Sequence, residues 1–378
     1  DNDTFPLWYA QEVEGIRTDI RVCNTSYLQT DWYIDQMKRQ AYDSDPLPIT
    51  WTREQYVQGK RDHAFVIKRM EGPIDLGQAL EWVRSDDPRY KRIPNVAQEY
   101  DHIPSDKLVF KVDSAAVMKN HAINPEDAPL MLKEMTIDLS DRNGLGKEAL
   151  TILDMLYTNN WERPMYYAIT VDPRQFVKLD NYFQKTGLAY RIVPFNARAA
   201  GSRAIDTEKM YDNVMNKFKY GGLDKPGVYV DENTMRMCKS YRVHVFSELA
   251  GALLQENKNE KALAVLDKAM QVLPPENVPY DYSSFTIGEL YLLLGEKDKG
   301  EQILNGIAEN SMRSLRWFTR LSPDKLAGVE NELGYHLSVM RNVLAVGLQN
   351  NPDFGKAYRD EYNNYRMSYM QQAQPANQ

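Results

Sequence analysis

The chain has 378 residues, 43% of them hydrophobic and 26% charged, and 53 acidic against 46 basic side chains give a formal net charge of −7. A single core rarely grows past about 250–300 residues, so this length supports two. The acidic balance, without any basic block interleaved with aromatics, argues against nucleic acid as a partner, because that binding depends on Lys and Arg neutralising phosphates. No run approaches the roughly 18 apolar residues of a membrane-spanning helix.

Taken in chain order, residues 1–205 predict an α/β domain with a mostly parallel sheet. Asp3 and Thr4 precede a helix that has Pro6 in its first turn and ends at Gly15. "DIRVCNTSYL" (Asp19 to Leu28) reads as a strand and "DWYIDQMKRQAY" as a helix. Thr52 and Gln55 have the spacing of a capping box. "HAFVIKR" and "KLVFKVD" are strand-like, being rich in β-branched and aromatic residues. "EMTIDLS", the turn and helix of "NGLGKEALTILDMLYTNNW", and "RPMYYAITV" then predict a right-handed parallel βαβ crossover. "LAYRIVPF" supplies one more strand.

From Thr207 the pattern becomes helical, and residues 206–370 predict a domain of helical hairpins. Phe246, Leu249, Ala250 and Leu253 line one helix, and Ala262, Leu266 and Ala269 line the next, across a polar turn at Asn257 to Asn259. A second copy follows with Ile287, Gly288, Tyr291, Gly300, Leu304 and Ile307. The pattern is similar to tetratricopeptide hairpins with a short insertion. Ser322-Pro323 opens a long helix to about Leu348, Asn351-Pro352 opens the last, and 371–378 reads as a disordered tail.

The candidate chemistry is sparse. Asp1, Asn2, Asp3 and Asp19 would lie at strand ends, the edge where α/β sheets bind ligands. Carboxylates at a helix N-terminus are also welcome there for the dipole alone. Gly144, Gly146 and Lys147 lack phosphate-loop spacing, and the five histidines are never paired as metal ligands, so no catalytic residue, metal or cofactor is expected. Cys23 and Cys238 read as two buried thiols, with a disulfide as the alternative in an oxidising compartment. Tyr358, Tyr362, Tyr365 and Tyr369 form a stripe on one helix face, suited to packing against the preceding helix or to stacking on a partner. The triplets at Asn2 and Asn24 match glycosylation acceptors, a match common by chance.

"DNDTFPLWYAQEVEGIRTDIRV", "TDWYIDQM" and "NNWERPMYYAIT" together resemble a family of large bacterial multi-pass membrane proteins of unknown function. Their membrane half looks like GT-C glycosyltransferases and animal protein O-mannosyltransferases, and their soluble half ends in tetratricopeptide-like helices. The resemblance implies an extracytoplasmic portion cut from such a protein of the bacterial inner membrane, facing the periplasm. βαβ logic also asks for a strand directly before Asp1. The expected role is non-catalytic: to bind a protein or glycan acceptor beside its own upstream transmembrane half. Two alternatives remain open, a self-contained sugar- or nucleotide-binding domain with an acidic site, and a repeat scaffold for envelope proteins.

Overall fold

The computed structural model describes residues 3–94 and 96–372. It divides into two compact units, 1–204 and 205–378. Asp1 and Asn2, and residues 373–378 of the expected tail, lie outside the described residues.

The first unit has helices and small mixed sheets in place of the expected mostly parallel layer. Nine strands are described: β1 His63–Val66, β2 Ile74–Asp75, β3 His102–Ile103, β4 Lys107–Lys111, β5 Glu134–Asp138, β6 Gly144–Gly146, β7 Tyr166–Ala168, β8 Phe183–Lys185 and β9 Ala189–Ile192. They form three sheets, in the orders β3-β1-β6, β2-β4-β5 and β7-β9-β8. Only β1 with β3 and β2 with β4 run parallel. β5 pairs antiparallel with β4 while β7 pairs antiparallel with β9, so the expected crossover does not exist. The reason is visible in β5, whose residues alternate exposed and buried. That is the pattern of a strand with one wet face, which antiparallel sheets tolerate and doubly covered parallel sheets do not.

Three further expectations change. Asp19 to Leu28 is irregular with one 3-10 turn, Ser26–Gln29. Asn24 Oδ1 accepts from the Ser26 and Tyr27 amides, and the Asn24 amide donates to the Tyr33 hydroxyl, so this backbone is diverted from any ladder. Gly144 to Gly146, read as a turn, is strand β6 against β1. A Cβ at Gly144 would lie 2.1 Å from the His63 ring, so the close pairing needs glycine. The first helix, Thr4–Glu12, is three residues shorter than expected.

The core of this unit is centred on the helix Lys147–Asn159, in which Ala149 to Leu156 are all buried. Helix Leu76–Arg84 packs on it through Leu76, Ala79, Leu80 and Val83, the helical spacing of one apolar stripe, and Asp75 caps it by accepting from the Gln78 amide. The capping box of Thr52 and Gln55 is formed in full.

The regular elements described in the second unit are all helices, with an irregular stretch over 218–231. Glu232–Tyr241 continues through a π-helical segment, Arg242–Ser247, into Glu248–Gln255. Hairpins follow: Glu248–Gln255 packs on Asn259–Val272, and Phe285–Leu293 on Lys297–Phe318. Both hairpin turns hold a left-handed residue, Asn257 at φ 59° and Gly295 at φ 84°. An added Cβ at Gly300 would come within 2.7 Å of Leu292 Cγ, which explains Gly at a position the repeat pattern gives to Ala. The expected long helix from Ser322 is split: Pro323–Ala327 is followed by Glu330–Asn350. The last helix is Lys356–Gln372, which takes in the first two residues of the expected tail.

Candidate functional site

Three stretches distant in sequence converge at the start of the first helix. Asp3 stands at the N-cap position, but its φ of −103° and ψ of −31° are helical, and its side chain makes no cap hydrogen bond. A capping side chain needs the extended conformation to reach back over the first amides. The Asp3 carboxylate accepts instead from the Thr170 hydroxyl, 167 residues along. Beside it, Asn24 Nδ2 donates to Thr4 Oγ1 at 3.3 Å. Thr25 donates to Gln175 Oε1, and Gln175 Nε2 donates to Ser26 Oγ at 3.1 Å. Hydroxyls and amides thus knit the segments 3–4, 24–26 and 170–175 together.

Next to this polar cluster runs a strip of four rings. Phe5 and Trp8 have centroids 5.7 Å apart, Trp8 and Tyr27 6.4 Å, and Tyr27 and Trp32 6.0 Å. Its two ends are open: Phe5 is 52% and Trp32 55% exposed. Soluble chains normally turn such large rings inward. Asp31 and Asp35, one helical turn apart, share Arg53 at 3.9 and 3.5 Å, and Tyr56 donates to Asp35 at 2.6 Å.

Behind the strip is a second polar group. Desolvation pushes the Cys23 thiol up to about 12, against the pull of Arg21 and of its hydrogen bond with Tyr33. Burial likewise raises Tyr33 and Tyr167. Arg21 Nη1 and the Tyr167 hydroxyl are buried without a hydrogen-bond partner. A thiol so strongly protonated is a poor nucleophile and metal ligand. Cys23 and Cys238 are both free.

Among the described residues, the acidic groups named from the sequence, Asp3 and Asp19, are not gathered into one centre. Asp19 is held by Arg17 through two bonds of 2.8 and 2.9 Å, which keep its carboxyl below the ordinary range, while Asp3 is engaged by Thr170. Acid–base work at a bond needs titrating groups converging on one reacting atom. Each carboxylate named above is instead bound to a hydroxyl or a guanidinium.

In the second unit the four tyrosines face their own helices. Tyr362 is 5% exposed and donates to the Leu337 carbonyl at 3.4 Å. Tyr358 donates to Glu309 at 3.2 Å and Tyr365 to Glu361 at 2.6 Å, while Glu361 also receives two bonds from Arg316. Tyr369 packs partly buried against the same core.

Sequence reasoning missed the buried charges, of which two are fully buried and anchored to backbone by several bonds. Asp154, fully buried, accepts from the Thr50 amide and hydroxyl at 2.7 Å each and from Arg84 at 3.1 Å. Arg242, also fully buried, donates to the carbonyls of Leu273, Val278 and Pro279. The one signal for either was a charged residue inside an otherwise apolar helix face.

The architecture and the interlocked motif segments define a helix-rich α/β unit with a polar–aromatic surface. The chain belongs to the family described as TMEM260-associated domain 2, whose model matches residues 1–209. No curated protein and no solved structure matches it.

Proposed function

We propose that this chain is the acceptor-binding, non-catalytic portion of a membrane-embedded, glycosyltransferase-like protein of the bacterial inner membrane, working on its periplasmic side. The observation that carries this reading is the face built by Asp3, Asn24, Gln175 and Thr170 beside the Phe5–Trp8–Tyr27–Trp32 strip. It is a surface of hydroxyls, amides and open rings, suited to binding and poor in groups for bond-making. Family membership supports it, since the family takes its description from a protein called TMEM260. The likeness of its opening motif to proteins with a GT-C-like membrane half supports a reading in which the transfer chemistry lies elsewhere in the parent protein.

The helical unit has the second role. Its two hairpins repeat with left-handed turn residues at equivalent places, Asn257 and Gly295, and with Leu266 and Leu304 both fully buried. We read them as tetratricopeptide-like hairpins that offer a protein-binding surface.

The test is made in the full-length parent. Trp32→Ala should weaken acceptor binding and raise KM, while Asp3→Asn should leave turnover nearly intact. Abolished turnover in Asp3→Asn, at unchanged KM and with the protein still folded, sinks the reading in favour of a catalytic acidic site.

A further inference from the structure

The first helix and the segments tied to it carry further exposed apolar side chains beyond the aromatic strip. Helix Thr4–Glu12 has no buried residue at all. Leu7, Tyr9, Val13, Ile16, Ile20 and Tyr42 are each more than 40% exposed. The segments that carry them are tied to the helix and so lie close to one another. Gln11 Nε2 donates to the carbonyls of Arg17 and Ile20 at 2.9 and 2.8 Å, folding the following turn back on the helix. The Tyr42 hydroxyl donates to Glu12, and Thr18 donates to Asp43 at 2.6 Å, bringing in the loop beyond the helix Asp31–Met37. Open apolar surface of this kind marks a contact made with something else.

The charge around it selects the partner. The first 45 residues hold nine acidic and four basic side chains, so a stretch of about an eighth of the chain carries most of the net charge of −7. Glu12, Glu14, Asp43 and Asp45 are exposed around the apolar residues, and Asp19 forms an ion pair with Arg17. Two cations offset these four: exposed Arg39, and half-buried Arg163, which donates to the Asp45 and Pro46 carbonyls. An acidic rim repels an anionic lipid surface, and it repels a second copy of itself. An apolar centre inside an acidic rim complements an amphipathic helix whose apolar stripe is bordered by Lys and Arg.

We propose that this surface docks a cationic amphipathic helix of a partner polypeptide. The inference is separate from acceptor binding, and its test uses no acceptor.

The probe is a dye-labelled 18-residue peptide of Leu and Lys in helical register, compared with its Leu/Glu counterpart, and fluorescence anisotropy of the whole chain reads the binding. The Leu/Lys peptide should bind about tenfold or more tightly than the Leu/Glu one, and its affinity should drop with added salt. Leu7→Ser with Val13→Ser and Ile16→Ser should weaken it about tenfold or more; these residues are exposed, and circular dichroism confirms the fold. Glu12→Lys with Glu14→Lys should invert the preference between the two peptides, whereas Glu260→Lys with Asp298→Lys on the helical unit should not. Equal binding of both peptides, full binding by the triple variant, or inversion by the remote pair overturns the proposal. So does co-sedimentation with phosphatidylcholine vesicles in place of peptide binding, or a dimer that the triple variant abolishes, either of which assigns the surface to another occupant.

Discussion

Replacing Asp154 by Ala would strip the first unit of its central polar joint. The carboxylate is fully buried and ties the helix Lys147–Asn159 to the Thr50 backbone and to Arg84 at the end of the helix Leu76–Arg84. Removing one member of a buried charge pair typically costs 3–5 kcal/mol, since the abandoned partner keeps its desolvation penalty. The Arg84 side chain retains 21% exposure and can recover some hydration, so the expected loss is near the low end, about 3 kcal/mol. At roughly 2–4 °C per kcal/mol for a unit of this size, the melting point of the first unit should fall by about 6–12 °C. Circular dichroism at 222 nm or scanning calorimetry reads this, and Asp154→Ala with Arg84→Met should recover part of the loss because no orphan charge remains. The pH dependence is a second check. Burial holds the Asp154 carboxyl above its ordinary 3.8, against the pull of Thr50 and Arg84. The folded state therefore keeps this proton longer than the unfolded one, and the Asp154 contribution to stability declines as pH rises from 3.8 through the folded value. Asp154→Asn should remove that decline. A melting point for Asp154→Ala within about 1 °C of the parent chain would refute the reasoning.

Three further outcomes follow from the packing. Leu304→Ala, at a fully buried site in the second hairpin, should cost about 2–5 kcal/mol, read as a lower urea midpoint with an unchanged m-value. His102 is fully buried between Arg69 and the Tyr100 carbonyl; desolvation first, then the Arg69 charge, lowers it from 6.5, so stability holds above 6.5 and declines as pH falls below it. That slope, at most about 1.4 kcal/mol per pH unit, should be reduced in His102→Gln. The Cys23 thiol, pushed up to about 12, should resist iodoacetamide at pH 8 in the folded chain and react once urea is added; rapid native labelling by mass spectrometry would contradict the described environment.

Much of the element order was legible in the sequence. The helix Lys147–Asn159, the hairpin helices and most of the strand cores followed from apolar period and turn residues. Sheet pairing was not legible in full: the alternation in Glu134–Asp138 favours an antiparallel neighbour, but that the neighbour is Lys107–Lys111 is decided by long-range packing. Asp3 shows the limit for the site. Its place before a helix predicted a cap, yet a helical φ and ψ sent its carboxylate to Thr170, a contact that local pattern cannot foresee. The tyrosine stripe had two readings from spacing alone, and what distinguishes them is the position of helix Glu330–Asn350, which supplies the Leu337 carbonyl to Tyr362.

The π-helical segment Arg242–Ser247 has a mechanical consequence. A turn with one surplus residue rotates everything beyond it by about 100°, the angular step of a single helical position. The Cys238 side of the rod and the Leu249 side are thereby phased independently, so both meet apolar neighbours although no single stripe joins them. Excising Val243 should let the coil wind back to regular pitch and swing Cys238 out towards water. The hairpin downstream would keep its seating, and the rod would behave as two keys cut on one shaft.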